Sequence, residues 1–402
     1  TRRSSDLPRL SVRRGSVRTH RAHRVPAVRN AVHAAETHRA VHGQFGRDLC
    51  GVVQIRSQGM IRQMTAEPER ILLAHGGGGQ LTSQLIRERI VPRFRNDALS
   101  ALADSASLTL TSHAICFTTD SYVVKPLFFP GGDIGKLAVC GTVNDLAVSG
   151  SKPLVLSLAL IIEEGFEVSM LDRILQSISD AAQNNGVSIV TGDTKTVERG
   201  SADGIFINTA GIGVGLPNVE PGVDRIRVGD RILLSGTIGD HGMTIVSQRE
   251  GIRFESQLAS DCAGLAELTC RLFASVPGIR FMRDPTRGGL AATLNEIVEG
   301  SRLSVEICER EIPVRPEVQA AADMLGFDVL NAANEGKFVA VVSSDAADEC
   351  LRTCRDHALG KDARIIGEIV ETRDAPLVEL RTKIGGRRIV QMPYGRELPR
   401  IC

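Results

Sequence analysis

The chain ends in a thiol. Its last ten residues read PYGRELPRIC, and Cys402 is the terminal residue. Chain ends are poorly ordered unless tied down. A terminal cysteine behind a Gly- and Pro-containing stretch is therefore placed like a swinging arm, able to enter a partner's active site and return to its own. The plain alternative is an accidental exposed thiol. A second set of residues has the form of phosphate chemistry. FTTDSYVV puts Asp120 between two strand-like runs, and PGGDIGK (130–136) is a Gly-rich turn that carries Asp133 and opens a helix. GTVNDLAVSG (141–150) puts Asn144 and Asp145 on that helix, and TGDTK (191–195) ends a strand with Asp193, Thr194 and Lys195. SGTIGDHG (235–242) places Asp240 at a strand-to-helix turn; DPTRGGLA (284–291) and NEGK (334–337) have the same form. Mg²⁺ takes hard oxygen ligands and keeps several waters, so a few Asp side chains plus phosphates suffice to hold it. Gly-rich turns at helix starts expose backbone N–H groups to phosphate oxygens. Together the acids and turns point to Mg–ATP.

Each motif alone has a bland reading. An acid at a strand end is commonly an N-cap. PGGDIGK is not a Walker A loop, because three residues separate Gly131 from Gly135 and Leu137 stands where Ser or Thr belongs. HGGGGQ (75–80) reads by itself as a flexible linker. His75, His113 and His241 are too far apart in sequence to argue for a metal triad and read as structural or capping residues.

The elements that must position these residues alternate between strand and helix. Ala114–Thr118 and Tyr122–Pro126 read as short strands around Asp120, Gly135–Ser149 as a helix and Pro153–Ile162 as a buried strand. Leu171, Ile174, Leu175 and Ile178 recur at helical spacing and predict a helix over Ser169–Asn185. Val187–Thr191 and Ile205–Leu216 are strands. LPNVEPGVDRIRVGD (216–230), with its prolines and glycines, reads as the domain junction. A second alternating set runs from strand Arg231–Ser235 to strand Ile365–Val370, with helices over Gly239–Gln248, Gly264–Val276, Gly289–Ser301, Arg315–Leu325 and Asp345–Asp356. Strands Ser304–Cys308 and Phe338–Ser343 fall between them. The fold class is α/β (α+β), in two domains of comparable size.

Composition narrows the function classes. At 402 residues with 42% hydrophobic residues the chain supports a large core. The longest mostly apolar run, Leu154 to Ile162, is too short to span a bilayer. The nine cysteines form no CxxC, which fits a reducing compartment. Cys350 and Cys354, one helical turn apart, read as a buried helix face rather than a metal site. The net charge of +1 conceals a split: residues 1–63 hold 13 Arg and 3 acids, and the remainder carries −9. That basic segment, with five His and little apolar periodicity, is read as disordered and as a non-native extension rather than a transit peptide or nucleic-acid tail.

AHGGGGQLTSQLI, FTTDSYVVKPLFFPGGDIGKLAVCGTVNDLAVSGSKP, IIEEGF, TGDTKTVERG, DPTRGGLA, NEGK and MPYGRELPRIC run in one order from Met64 to Cys402. In that order they resemble the HypE family of hydrogenase maturation proteins, in the superfamily of aminoimidazole ribonucleotide synthetase, selenophosphate synthetase and thiamine-monophosphate kinase. The acid-bearing loops are shared in kind across the superfamily; the PRIC ending is specific to the family. HGGGG departs mildly, standing where many relatives have a Ser within the Gly run.

The resemblance implies an N-terminal ATP-binding and dimerisation domain over 64–216, whose strands pair into a barrel shared by a homodimer with ATP near the interface. It implies a C-terminal α/β domain over 226–384 and a mobile tail over 385–402. It implies that Cys402 accepts a carbamoyl group from a HypF-like carbamoyltransferase. ATP then dehydrates that group to a thiocyanate, which passes to a HypC–HypD-like scaffold as the cyanide ligand of the [NiFe]-hydrogenase iron. Phosphorylating the amide oxygen makes it a leaving group, and a base removes the N–H proton as phosphate departs. Asp120, Asp145 and Asp193 would hold Mg²⁺. Gly76, Gly77, Gly78 and Gly79 would close over phosphates, with Asp133, Asn144, Thr194 and Asp240 also at the nucleotide. Lys195 would stabilise negative charge, and Glu335 would act as base or proton relay. The setting is cytoplasmic, with no membrane and no nucleic acid. Two other readings make different predictions. A kinase or synthetase with a soluble substrate, such as a selenophosphate synthetase-like enzyme, would keep its activity without residues 400–402. A nucleotide-binding scaffold would bind ATP without turnover.

Overall fold

The computed structural model describes residues 69–72, 84–94, 96, 114–252, 258–299, 301–372, 375–393 and 400–402. In chain order the first half holds β1 (Ile115–Tyr122), the two-residue strands β2 (Phe128–Phe129) and β3 (Gly132–Asp133), α1 (Ile134–Val148), β4 (Ser151–Glu163), α2 (Val168–Asn184), β5 (Ser188–Val197) and β6 (Ile205–Gly215). The second half holds β7 (Arg231–Leu234), α3 (Asp240–Arg249), α4 (Ala266–Ser275), β8 (Ile279–Arg283), α5 (Gly289–Val298), β9 (Leu303–Cys308) and α6 (Pro316–Leu325). It continues with β10 (Val339–Val342), α7 (Ala347–Arg355), β11 (Arg364–Glu371), β12 (Val378–Arg381) and β13 (Arg387–Val390).

Period-two alternation builds the first sheet, in the order β1-β6-β4-β5. Its pairs are antiparallel except for parallel β4 and β5. Leu156, Leu158, Leu160 and Ile162 of β4 and Ile205 and Ile207 of β6 form its buried side. They share a core with Leu171, Ile174, Leu175 and Ile178, the apolar stripe of amphipathic α2. By contrast, α1 is buried on almost every side, as a helix apolar all round must be. Gly141 lets it approach the sheet, since a Cβ there would collide with the Tyr122 hydroxyl. The opposite side of the sheet is open: Ile115, Phe117 and Ile161 are 52%, 68% and 42% exposed.

The second sheet runs β13-β12-β9-β11-β7-β10-β8. Val305, Ile307, Val339 and Val341 pack with Leu290, Leu294 and Ile297 of α5. Leu233, Ala340 and Val342 pack on the other side with Leu268 and Leu272 of α4 and with Cys350 and Cys354 of α7. Strands buried on both faces in this way read as continuous apolar runs. The two cysteines are indeed a buried helix face, where burial pushes both thiols up to about 12. Residues 65–402 form one compact unit.

Four differences from the sequence reading have physical causes. β1 runs unbroken through Asp120, because polar Thr119, Asp120 and Ser121 pair with Ala210, Thr209 and Asn208 of β6. Tyr122–Pro126 is accordingly no second strand. β5 runs through TGDTK to Val197, paired with β4 as far as Glu163, so Asp193 and Lys195 are mid-strand. β8, β12 and β13 are four or five residues long and interleave Arg or Glu with their apolar residues, so they lack the continuous apolar run that marks β7 and β10. β13 lies inside the stretch read as tail and pairs with β12.

Candidate active site

β1 and α1 bring two aspartates together. Asp120 and Asp145 lie on the side of β1 that faces α1, and Thr118 Oγ1 donates to Asp145 Oδ2 at 2.9 Å. Beneath them runs a chain of buried hydroxyls: Tyr122 OH is 3.4 Å from Asp120 Oδ2 and from Thr142 Oγ1, and Thr142 is 2.5 Å from Thr209 Oγ1. The loop after β8 adds Asp284, and NEGK adds Glu335. Both are buried, Glu335 at 2% exposure. Burial and the neighbouring Asp120 push the Asp145 carboxyl up to about 6. Burial and the Asp145 charge push Asp284 up to about 7. Glu335 is held well above the ordinary carboxylate range by burial, then by Asp261, Asp284 and Asp120. Its Oε1 accepts no hydrogen bond. Burial also raises Asp120, although Arg287, 3.9 Å away, works against the shift. Asp261 is the partly compensated member: Oδ1 accepts from the Glu335 N–H at 3.1 Å, and Oδ2 lies 3.3 Å from Lys337 Nζ.

The other expected residues are distributed differently. Asp193, Thr194 and Lys195 sit on β5, at the edge of the first sheet opposite β1. Three strand spacings, about 14 Å, separate the two edges. Lys195 Nζ is 3.3 Å from Asp193 Oδ1, and both side chains are exposed. Asp133 caps α1, its Oδ1 accepting from Gly135 N at 2.7 Å and Lys136 N at 3.1 Å. Asn144, read as a nucleotide contact, straps α1 to two loops of the second half. Its Nδ2 donates to the carbonyls of Ala263 and Glu335, and its Oδ1 accepts from Leu265 N at 2.8 Å. Asp240 is fully buried, accepts from Thr237 and lies 3.3 Å from Arg315 Nε. Gly76 to Gly79 lie outside the described residues. Asp284 and Asp261 were not singled out from sequence, although DPTRGGLA carries Asp284.

Cys402 packs against the first core, and Ile401 before it is 3% exposed. The Ile401 carbonyl is 2.9 Å from His241 Nε2. His241 Nδ1 is 2.8 Å from Ser260 Oγ, and the next residue, Asp261, accepts from the Glu335 N–H at 3.1 Å. No three His, Cys, Asp or Glu among the described residues are arranged to hold a metal ion unaided. Two mutually repelling carboxylates still fit Mg²⁺, which is commonly held by one or two carboxylates together with substrate phosphates.

A two-domain mixed α/β fold with an acid-lined site between β1, α1 and the second half defines a class. The chain matches the AIR synthase related protein families, N-terminal domain over residues 102–215 and C-terminal domain over 227–378. It is 50% identical over 331 residues to carbamoyl dehydratase HypE of Bradyrhizobium diazoefficiens, covering 82% of this chain and 95% of that protein. It is similar to the solved structure of hydrogenase maturation protein HypE in complex with ATP, with TM-score 0.79 and 44% identity over 82% of this chain and 99% of that one. It is also similar to a chain of the HypE–HypF complex, with TM-score 0.68 and 48% identity over 77% and 99%. The chain belongs to the carbamoyl dehydratase HypE family. The two-domain AIR synthase-like fold expected from the sequence is the one observed.

Proposed function

We infer that this chain is an ATP-dependent carbamoyl dehydratase acting on an S-carbamoyl group carried by its own Cys402. The observation that carries the reading is the terminal Arg-Ile-Cys held by His241, whose other ring nitrogen meets Ser260, the neighbour of the Asp261 that accepts from the Glu335 N–H. The reaction converts Cys402 S–C(=O)–NH₂ and ATP to Cys402 S–C≡N, ADP and phosphate. ATP supplies the phosphoryl group that turns the amide oxygen into a leaving group, and Mg²⁺, held by Asp120 and Asp145, would neutralise charge on the phosphates. Asp120 and Asp145 are held in place by the β1–α1 pairing and the hydroxyl chain beneath them. Burial, then the negative charge of the neighbouring Asp261, Asp284 and Asp120, raises the Glu335 carboxyl and favours its protonated form. Glu335 becomes a base for the amide N–H as those charges are compensated. Lys337 lies 3.3 Å from Asp261 and Arg287 3.9 Å from Asp120.

A homodimer explains two further observations. The open sheet side with Ile115, Phe117 and Ile161 is an apolar surface that a second copy would cover. Asp193 and Lys195 lie too far from Asp120 to serve the same site in one copy, so a second copy would supply them across the interface. A HypF-like carbamoyltransferase would load Cys402, and a HypC–HypD-like scaffold would take the cyanide. The setting is cytoplasmic; among the described residues no helix is long and apolar enough to cross a membrane. Deleting Arg400–Cys402 tests the reading: the dehydratase loses all turnover, whereas a soluble-substrate kinase would keep it.

A further inference from the structure

The terminus is held far more firmly than a carrier arm requires. Arg400 takes a left-handed backbone conformation, φ 53°. A non-glycine residue persists there only where its surroundings over-determine it. Those surroundings are specific. The Arg400 carbonyl accepts from Lys125 N at 3.3 Å and from the Arg249 guanidinium. Its own guanidinium pairs with Asp203, donates to the Val123 carbonyl at 3.0 Å and lies 5.7 Å from the centre of the Phe206 ring.

One residue on, the Ile401 carbonyl meets His241. A carbonyl can only accept, so Nε2 carries the proton and donates. Nδ1 then accepts from the Ser260 hydroxyl, 2.8 Å away. Both ring nitrogens are committed, the residue is 0% exposed, and Phe129 stands edge-on at 5.4 Å, which fixes the ring plane. Burial keeps the imidazole neutral by lowering its pKa. His241 and Asp203 lie outside the acid cluster, and each has the terminal tripeptide as a direct partner.

We propose that His241 and Asp203 form a capture site for the chain's own Arg400–Ile401–Cys402. His241 is a positioning residue that sets Cys402 for dehydration, and Asp203 is an outer catch that opens before Cys402 reaches the carbamoyltransferase. This rests on the reading of Cys402 as the carbamoyl carrier. The capture site makes transfer and dehydration compete: weakening it favours transfer and slows dehydration. A change in the acid cluster slows dehydration without exposing the thiol.

The test uses the full chain with Asp203→Asn, Arg400→Gln, His241→Gln and His241→Ala. Two rates are read: iodoacetamide alkylation of Cys402, followed on the C-terminal peptide, and single-turnover conversion of the pre-carbamoylated protein to thiocyanate. Asp203→Asn and Arg400→Gln act at the half-exposed catch and leave the core intact. They decide the matter even if His241→Ala does not fold. Each is expected to raise alkylation about fivefold, the weight of one hydrogen bond, and to slow dehydration by a similar factor. His241→Gln, whose side-chain amide is a donor, stays closer to the parent than His241→Ala. Unchanged alkylation in Asp203→Asn and Arg400→Gln overturns the capture site. Slowed dehydration with unchanged alkylation in the His241 variants overturns its positioning role. Alkylation in the expected order without any thiocyanate in the parent leaves the capture site standing and refutes the dehydratase reading.

Discussion

Asp145 and Asp203 sit in the same half of the molecule and are driven in opposite directions. Asp145 shares its surroundings with Asp120 and Asp284 and is pushed up to about 6. Asp203, between β5 and β6, is held below the ordinary range by hydrogen bonds from Arg400 and Lys125. One region is short of positive charge and the other is balanced. The difference teaches where ligand chemistry belongs. A buried carboxylate cluster with fewer cations than acids is costly to fold unless something cationic is to be bound. A carboxylate already matched by two cations is positioning part of the protein itself.

The largest effect should come from the most extreme member of the uncompensated cluster. Glu335→Gln keeps the shape and removes the exchangeable proton. Dehydration should fall about a hundred- to ten-thousand-fold while Cys402 is still carbamoylated. Single-turnover mass analysis checks this, and normal thiocyanate formation would remove Glu335 from the mechanism. Next comes the open side of the first sheet. Phe117→Asp places a charge on the apolar surface assigned to a second copy and should raise the dimer Kd at least about a hundredfold. Light scattering across a concentration series reads this directly.

Asp284→Asn should have a smaller effect of opposite sign on stability. The folded-state pKa of Asp284 is raised to about 7 from 3.8, so ionising it destabilises the folded protein. That cost is absent below the unfolded pKa, grows as pH rises through the interval and is complete above pH 7. The ligand-free variant should therefore melt roughly 3–6 °C above the parent at pH 8, with little difference near pH 4. A gain at both pH values, or at neither, would mean that burial and the neighbouring acids do not raise Asp284. The smallest effect belongs to the balanced region. Asp203→Asn breaks a partly exposed pair and should change global stability by less than about 1 kcal/mol, whatever it does to the tail.

Much of this architecture is legible in the sequence. The helices declare themselves by spacing, as with Leu171, Ile174, Leu175 and Ile178. The acid of FTTDSYVV and the NDLA of the following helix mark Asp120 and Asp145, and the PRIC ending marks Cys402. What stays hidden depends on tertiary placement. Nothing local separates Asp133, which caps α1, or Asn144, which straps two loops to it, from a ligand-binding acid or amide. Asp284 and Asp261 acquire their roles only when the loop after β8 and the loop before α4 arrive beside Glu335. His241 reads from sequence as a structural or capping residue, because the partner that gives it another role is 160 residues away at the chain end.

The most direct test is the intact mass of the full chain after incubation with a HypF-like carbamoyltransferase, carbamoyl phosphate and Mg–ATP, with mapping of the C-terminal peptide. Replacement of the Cys402 thiol hydrogen by CN, dependent on ATP, is the predicted result. A protein that remains unmodified at Cys402, or stays carbamoylated in the presence of ATP, would contradict the account.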